Sequence, residues 1–141
     1  MDDLDGATVL VREALDLRPQ GHPYRSESLN HLAFCLWSRY KQLREVEDLD
    51  VAIVLNREAL DLCPQGHPDR SASSHNLANR LSTRYDQLRR MEDLDHAIVL
   101  SRESLNLCPR GHSGRFDTLN THARHLFIRF LHLRQLKDKF F

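Results

Sequence analysis

The sequence predicts an all-α protein, a solenoid of helical hairpins with six helices, on three observations. One motif is written three times. Apolar residues within each copy fall at helical intervals. Proline and glycine interrupt them at fixed places. Asp3-Leu4-Asp5 returns as Asp48-Leu49-Asp50 and as Asp93-Leu94-Asp95, and Gly21-His22 returns as Gly66-His67 and Gly111-His112. Every step is 45 residues, so residues 3–47, 48–92 and 93–137 align without a gap. A period of this size marks stacked supersecondary units. The chain of 141 residues therefore reads as one array, residues 1–141.

Each copy predicts two helices, taken here from the middle copy. The first is residues 48–63, with Ala52, Leu55, Ala59, Leu60 and Leu62 as its apolar stripe. Asp48 is placed to cap it, and Asp50 sits where the helix dipole favours negative charge. Pro64 ends it, since the residue before proline leaves the α region. Gly66 supplies the permissive backbone of the turn. The second helix opens at Pro68 and runs to Arg89, with Leu77, Ala78, Leu81, Tyr85 and Leu88 on its buried side. Its counterparts lie near 24–44 and 114–136. Ala7, Ala52 and Ala97, with Ala33, Ala78 and Ala123, are small residues suited to close helix crossings. Tyr40, Tyr85 and Phe130 are expected as core at the helix ends. A lone hairpin cannot bury both its faces, but three stacked copies can.

Composition excludes several classes. Lys+Arg and Asp+Glu are 20 each, so no basic nucleic-acid footprint marks the chain as a whole. No apolar run approaches the roughly 20 residues that cross a bilayer. MDDLDG lacks the layout of a signal peptide. Cys35, Cys63 and Cys108 are sparse and form no CxxC, which points to an intracellular, cytoplasmic protein. No nucleophile, phosphate-loop, zincin or dinucleotide motif occurs, so neither an enzyme nor a cofactor is expected. Cys63 and Cys108 have Arg18 as their counterpart, which argues against a nucleophile. His22, His67 and His112 lie one per copy in the turn. A helix–helix step of about 10 Å is too wide for a shared metal ion. His122, His125 and His132 lack the cysteine or carboxylate that would complete a shell, and no metal is expected.

Ala52-x6-Ala59-x4-Pro64, repeated as Ala7-x6-Ala14-x4-Pro19, resembles the tetratricopeptide repeat; the third copy keeps Ala97 and Pro109 but has Ser104 for the second alanine. The period exceeds the usual one of about 34 residues. LN-x-LA, RY-x-QLR, EDLD-x-A and REAL-x-L-x-P-x-GHP together resemble the arrays of fungal proteins that often precede a caspase-like CHAT domain. LN-x-LA also resembles kinesin-light-chain repeats. The resemblance implies a right-handed superhelix with a concave groove lined by the helices near 24–44, 69–89 and 114–136. It implies a non-enzymatic module that binds a peptide or partner helix there. The alternative is a structural spacer or self-assembling fragment of a larger CHAT-type protein.

The groove candidates are Asn30, His31, Phe34 and Trp37, then His75, Asn76 and Asn79, then Asn120, Thr121 and Arg124. An asparagine amide both donates and accepts, so it suits an extended peptide backbone. The competing reading is that these amides bond neighbouring helices and fix stacking register. Phe34 and Trp37 are either an aromatic anchor for a partner or packing for an upstream helix. Arg12-Glu13, Arg57-Glu58 and Arg102-Glu103, with Arg39, Arg84 and Arg129, read as ion pairs between helices or as solvated faces. Phe116, Phe127, Ile128, Phe130, Phe140 and Phe141 make the last helix unusually apolar. That fits a fragment of a longer array, end-to-end self-association, or a helix that folds back on itself.

Overall fold

The computed structural model describes residues 2–140, so Phe141 lies outside the described residues. The elements are α1 (Asp2–Asp16), α2 (Arg25–Leu43), α3 (Val46–Asp61), α4 (Arg70–Leu88), α5 (Met91–Leu107) and α6 (Arg115–Phe140). Among the described residues there is no strand, and no helix is long and apolar enough to cross a membrane. Each helix packs on the next in the chain, and α4 also touches α2 and α6.

Side-chain pairs fix the directions. Arg39 meets Asp48 while Asn30 meets Asn56, so contacts run backward along α3 as they run forward along α2. The two helices are antiparallel. Arg84–Asp93 and Ser71–Ser104 do the same for α4 and α5. Asn79–Arg124 and Tyr85–His132 instead run forward on both helices, so α4 and α6 are parallel.

The tight turns between α1 and α2, α3 and α4, and α5 and α6 are built alike. Gly21, Gly66 and Gly111 have φ of 89°, 87° and 87°, a region that favours glycine. The following histidine donates its N–H to the proline carbonyl three residues back, at 2.9, 2.9 and 3.1 Å. Its ring Nδ1 accepts the N–H two residues on, from Tyr24, Asp69 and Gly114. Arg25, Arg70 and Arg115 then donate to the carbonyls of Arg18, Cys63 and Cys108, tying each turn to the preceding helix end. Because His67 and Asp69 belong to this turn, α4 begins at Arg70 and not at Pro68.

Asp48 is not the cap of α3. Arg44 and Arg89 take left-handed φ of 59° and 56° and close α2 and α4 by donating to the carbonyls of Tyr40 and Tyr85. Glu45 is extended, so α3 starts at Val46, ahead of the start at Asp48 that the sequence predicts. Asp48 is thereby left free to bind Arg39 through both carboxylate oxygens, at 2.7 and 2.9 Å. Asp93 holds Arg84 in the same way. Both guanidinium groups are raised above their ordinary pKa, chiefly by these hydrogen bonds.

Leu29, Ala33, Leu36 and Tyr40 of α2 are buried, as are Leu77, Ala78, Leu81 and Tyr85 of α4. Leu49, Ala52, Ile53 and Ala59 of α3 are also buried. Full burial of a leucine or isoleucine contributes about 1.5–3 kcal/mol, so these seams carry the fold. Three expectations fail at the periphery. Leu88 is exposed, and so are Ala123 and Phe130 of α6, the counterparts of buried Ala78 and Tyr85. No described helix follows α6 to cover them. The helix also runs on to Phe140, past the position where Arg44 and Arg89 turn the chain. Lys137, Asp138 and Lys139 offer no apolar stripe that would reward folding back.

Candidate functional site

Parallel placement of α2, α4 and α6 brings several sequence candidates into one cleft of about 350 Å³. Trp37, His75, Asn79, Asn120, Thr121 and Arg124 line it, with Arg80, Thr83 and Asp117. An adjoining cleft, also about 350 Å³, shares His75 and Asp117 and adds Asn76, Ala72, Pro68, Leu107 and Thr118. The two form one trough along α4 and the start of α6.

Within the cleft, Arg124 Nη2 donates to Asn79 Oδ1 at 3.0 Å, and Asn79 Nδ2 contacts His75 Nε2 at 3.1 Å. Burial pushes the His75 ring below its ordinary pKa; Asp117 raises it, and Arg80 and Arg124 lower it. The ring is neutral at pH 7. Nε2 accepts from the Asn79 amide, so the proton resides on Nδ1. That Nδ1 is buried and has no partner among the described residues.

Not every candidate reaches the trough. Asn30 donates to Ser73 Oγ and accepts from Asn56 Nδ2, so its amide joins α2, α3 and α4. That is the register-setting role. His31 is exposed on α2 and lines neither cleft. Phe34 is 55% exposed, with its ring centroid 5.8 Å from that of Trp37. Phe34 sits at the rim, while Trp37 lines the cleft and packs against the core.

Arg80 was missed by sequence reasoning. It is 5% exposed and makes no ion pair among the described residues. Its Cζ lies 4.0 Å from the Trp37 ring centroid, and Lys41 Nζ lies 3.7 Å from the same centroid. A desolvated cation on a tryptophan face gains about 2 kcal/mol. Removing its water costs on the order of several kcal/mol. Burial lowers Arg80 to about 10, so it stays charged at pH 7. The detectable signal was a lone arginine in a helix phase flanked by Leu77, Ala78 and Leu81.

The recurring Arg-Glu pairs resolve differently from their sequence adjacency. Glu58 pairs with Arg25 and Glu103 with Arg70, across hairpins, while Arg57 and Arg102 are exposed. Cys63 and Cys108 are buried beneath the turns, and all three cysteines are free. Among the described residues, no His/Cys/Asp/Glu group has metal-binding geometry. Set against protein-family models, curated proteins and solved structures, the chain matches none of them.

Proposed function

We propose that the chain is a right-handed α-solenoid of tetratricopeptide-like hairpins, a single array over residues 1–141, acting as a non-enzymatic protein-interaction module in the cell interior. Its groove holds a peptide or partner helix along α2, α4 and α6. The observation that carries this reading is the trough itself: two adjoining clefts, polar amides along the floor and an exposed Phe34 at the rim. Recurring turns at Gly21, Gly66 and Gly111 and the parallel seam of α4 and α6 support the solenoid. The free cysteines suit a reducing compartment.

A second reading, a spacer or self-assembling segment, draws on Asn30, whose amide bonds Asn56 of α3 and Ser73 of α4. It also draws on the exposed apolar face of α6. The test is a pull-down with wild type and with Asn76, Asn120 and Arg124 all changed to alanine. Loss of a partner with an unchanged melting temperature supports the groove. Equal recovery of every partner removes it, and light scattering across concentration then tests self-assembly.

A further inference from the structure

α1 and α6 each expose the face that matching helices inside the chain use to hold one another. α1 has the register of α3 and α5, and α6 that of α2 and α4, at steps of 45 residues. Inside the chain, α2 packs on α3 and α4 on α5. Among the described residues, α6 has no such helix after it and α1 has none before it. Positions buried in the inner helices are bare in the outer two. Leu29 and Ser74 are fully buried, but the matching Leu119 is 46% exposed. Tyr40 packs with Leu49 and Ile53, and Tyr85 with Leu94 and Ile98, but the matching Phe130 is 55% exposed. On α1, Leu10 is 65% exposed where Leu100 is buried, and Ala14 is exposed where Ala59 and Ser104 are buried.

Charge decides which surface covers which. Arg39 and Arg84 each hold two aspartates. One lies on the helix before, Asp5 at 3.6 Å and Asp50 at 3.3 Å. The other lies on the helix after, Asp48 and Asp93, bound through both carboxylate oxygens. Arg129 has a partner of the first kind, Asp95 at 3.8 Å, and none of the second among the described residues. Asp138 stands nine residues on, as Asp48 and Asp93 do, but α6 runs straight through it and carries it roughly 13 Å along the axis. The counterpart of Asp48 and Asp93 on α1 is Asp3, which is exposed and makes no ion pair among the described residues. We propose that Arg129 takes Asp3 of a second copy of the chain, and that α1 of that copy lies antiparallel on α6 as α3 lies on α2 and α5 on α4. In that register Leu4 of the copy covers Phe130 and Ala14 meets Phe116, the places held inside by Leu49 on Tyr40 and Ser104 on Ser71. The two faces differ, so each pair keeps one of each to offer, and assembly runs past the dimer. This gives the self-assembly reading above its surface and is independent of the groove.

The test is sedimentation velocity over a wide concentration range with wild type, Arg129→Asp and Asp3→Arg. Wild type should grow beyond a dimer as concentration rises. Each reversal sets like charges together, and should raise the concentration needed for assembly by at least about tenfold. An equimolar mixture of the two variants should assemble again, because Asp3 of one meets Arg129 of the other, a recovery that misfolded variants would not give. Phe130→Ala should weaken assembly and leave the stability of the dilute monomer unchanged. A wild type that stays monomeric throughout overturns both the seam and the self-assembly reading, and leaves the face to a different partner. Assembly that ignores both charge reversals, or that stops at a dimer, overturns the seam alone. Variants that dissociate but do not recover on mixing overturn it as well.

Discussion

α4 and α6 carry matching sequence positions, yet they meet different surroundings. On α4, Ser74, Ala78, Leu81 and Tyr85 lie buried under α5. On α6, the matching Leu119, Ala123 and Phe130 are exposed and Leu126 is half-buried. The other side of each helix also differs. Where α4 turns Leu77 and Arg80 inward, α6 docks through His122, His125 and His132. His122 bonds Ser101 Oγ at 2.8 Å and His132 bonds the Tyr85 hydroxyl at 2.7 Å. Burial in a repeated chain is therefore a property of the neighbour as much as of the residue. The last helix adds these histidine bonds to the packing of Leu126 and Ile128 on Tyr85, Leu94 and Ile98, whereas the middle one buries Leu77 and Leu81 fully.

That contrast is broken most directly at the tyrosine position. Tyr85→Ala should cost about 3–5 kcal/mol in urea denaturation, from the cavity and the lost bond to His132. Phe130→Ala should stay within about 0.5 kcal/mol. Equal losses would mean that Phe130 is covered in solution.

Acid sharpens it next. His125 is fully buried, and burial, followed by Arg124, His122 and His75, lowers it to about 4, against which the Ala97 backbone acts weakly. The unfolded ring takes its proton near pH 6.5. The folded state binds fewer protons in this window, so stability is full above pH 6.5 and falls as pH drops through about 4. The loss is roughly 3 kcal/mol. Hydrogen exchange should show α6 opening first in acid, and His125→Leu should flatten the slope between pH 6.5 and 4.

The smallest effect changes sign between the two helices. Arg89 sits at φ 56°, so Arg89→Gly should stabilise by up to about 1 kcal/mol, less its contact with the Tyr85 ring. Arg134 matches Arg89 but lies inside α6, and Arg134→Gly should destabilise by up to about 1 kcal/mol. Thermal melts of the pair check the opposition.

Helix number and class were legible because apolar spacing and Pro-Gly breaks depend on neighbours within one turn. Ala52, Ala78, Leu81 and Tyr85 were found as core for that reason. Helix starts were less legible. Asp48 has the chemistry of a cap, but the left-handed Arg44 and the demand of Arg39 place it inside α3. Ala123 and Phe130 were misplaced because their sequence context equals that of buried residues; among the described residues no helix packs on them as α5 packs on α4. In the cleft, residue type singled out Asn79, His75 and Arg124, and their spacing on parallel helices brings them together. Asn30 was ambiguous because an amide serves a helix seam and a ligand equally well. Arg80 escaped notice because surface arginines are the rule, and its burial depends on Trp37 across a helix boundary.

The bonds that join one hairpin to the next are reproduced from seam to seam: Arg25 holds the Arg18 carbonyl and Glu58, and Arg70 holds the Cys63 carbonyl and Glu103. A slipped recombination that duplicated residues 48–92 would thus create a junction already compatible with both its flanks. Such a molecule is open to elongation by copying, with novelty carried by the positions, Trp37 and Arg80 among them, where the copies differ.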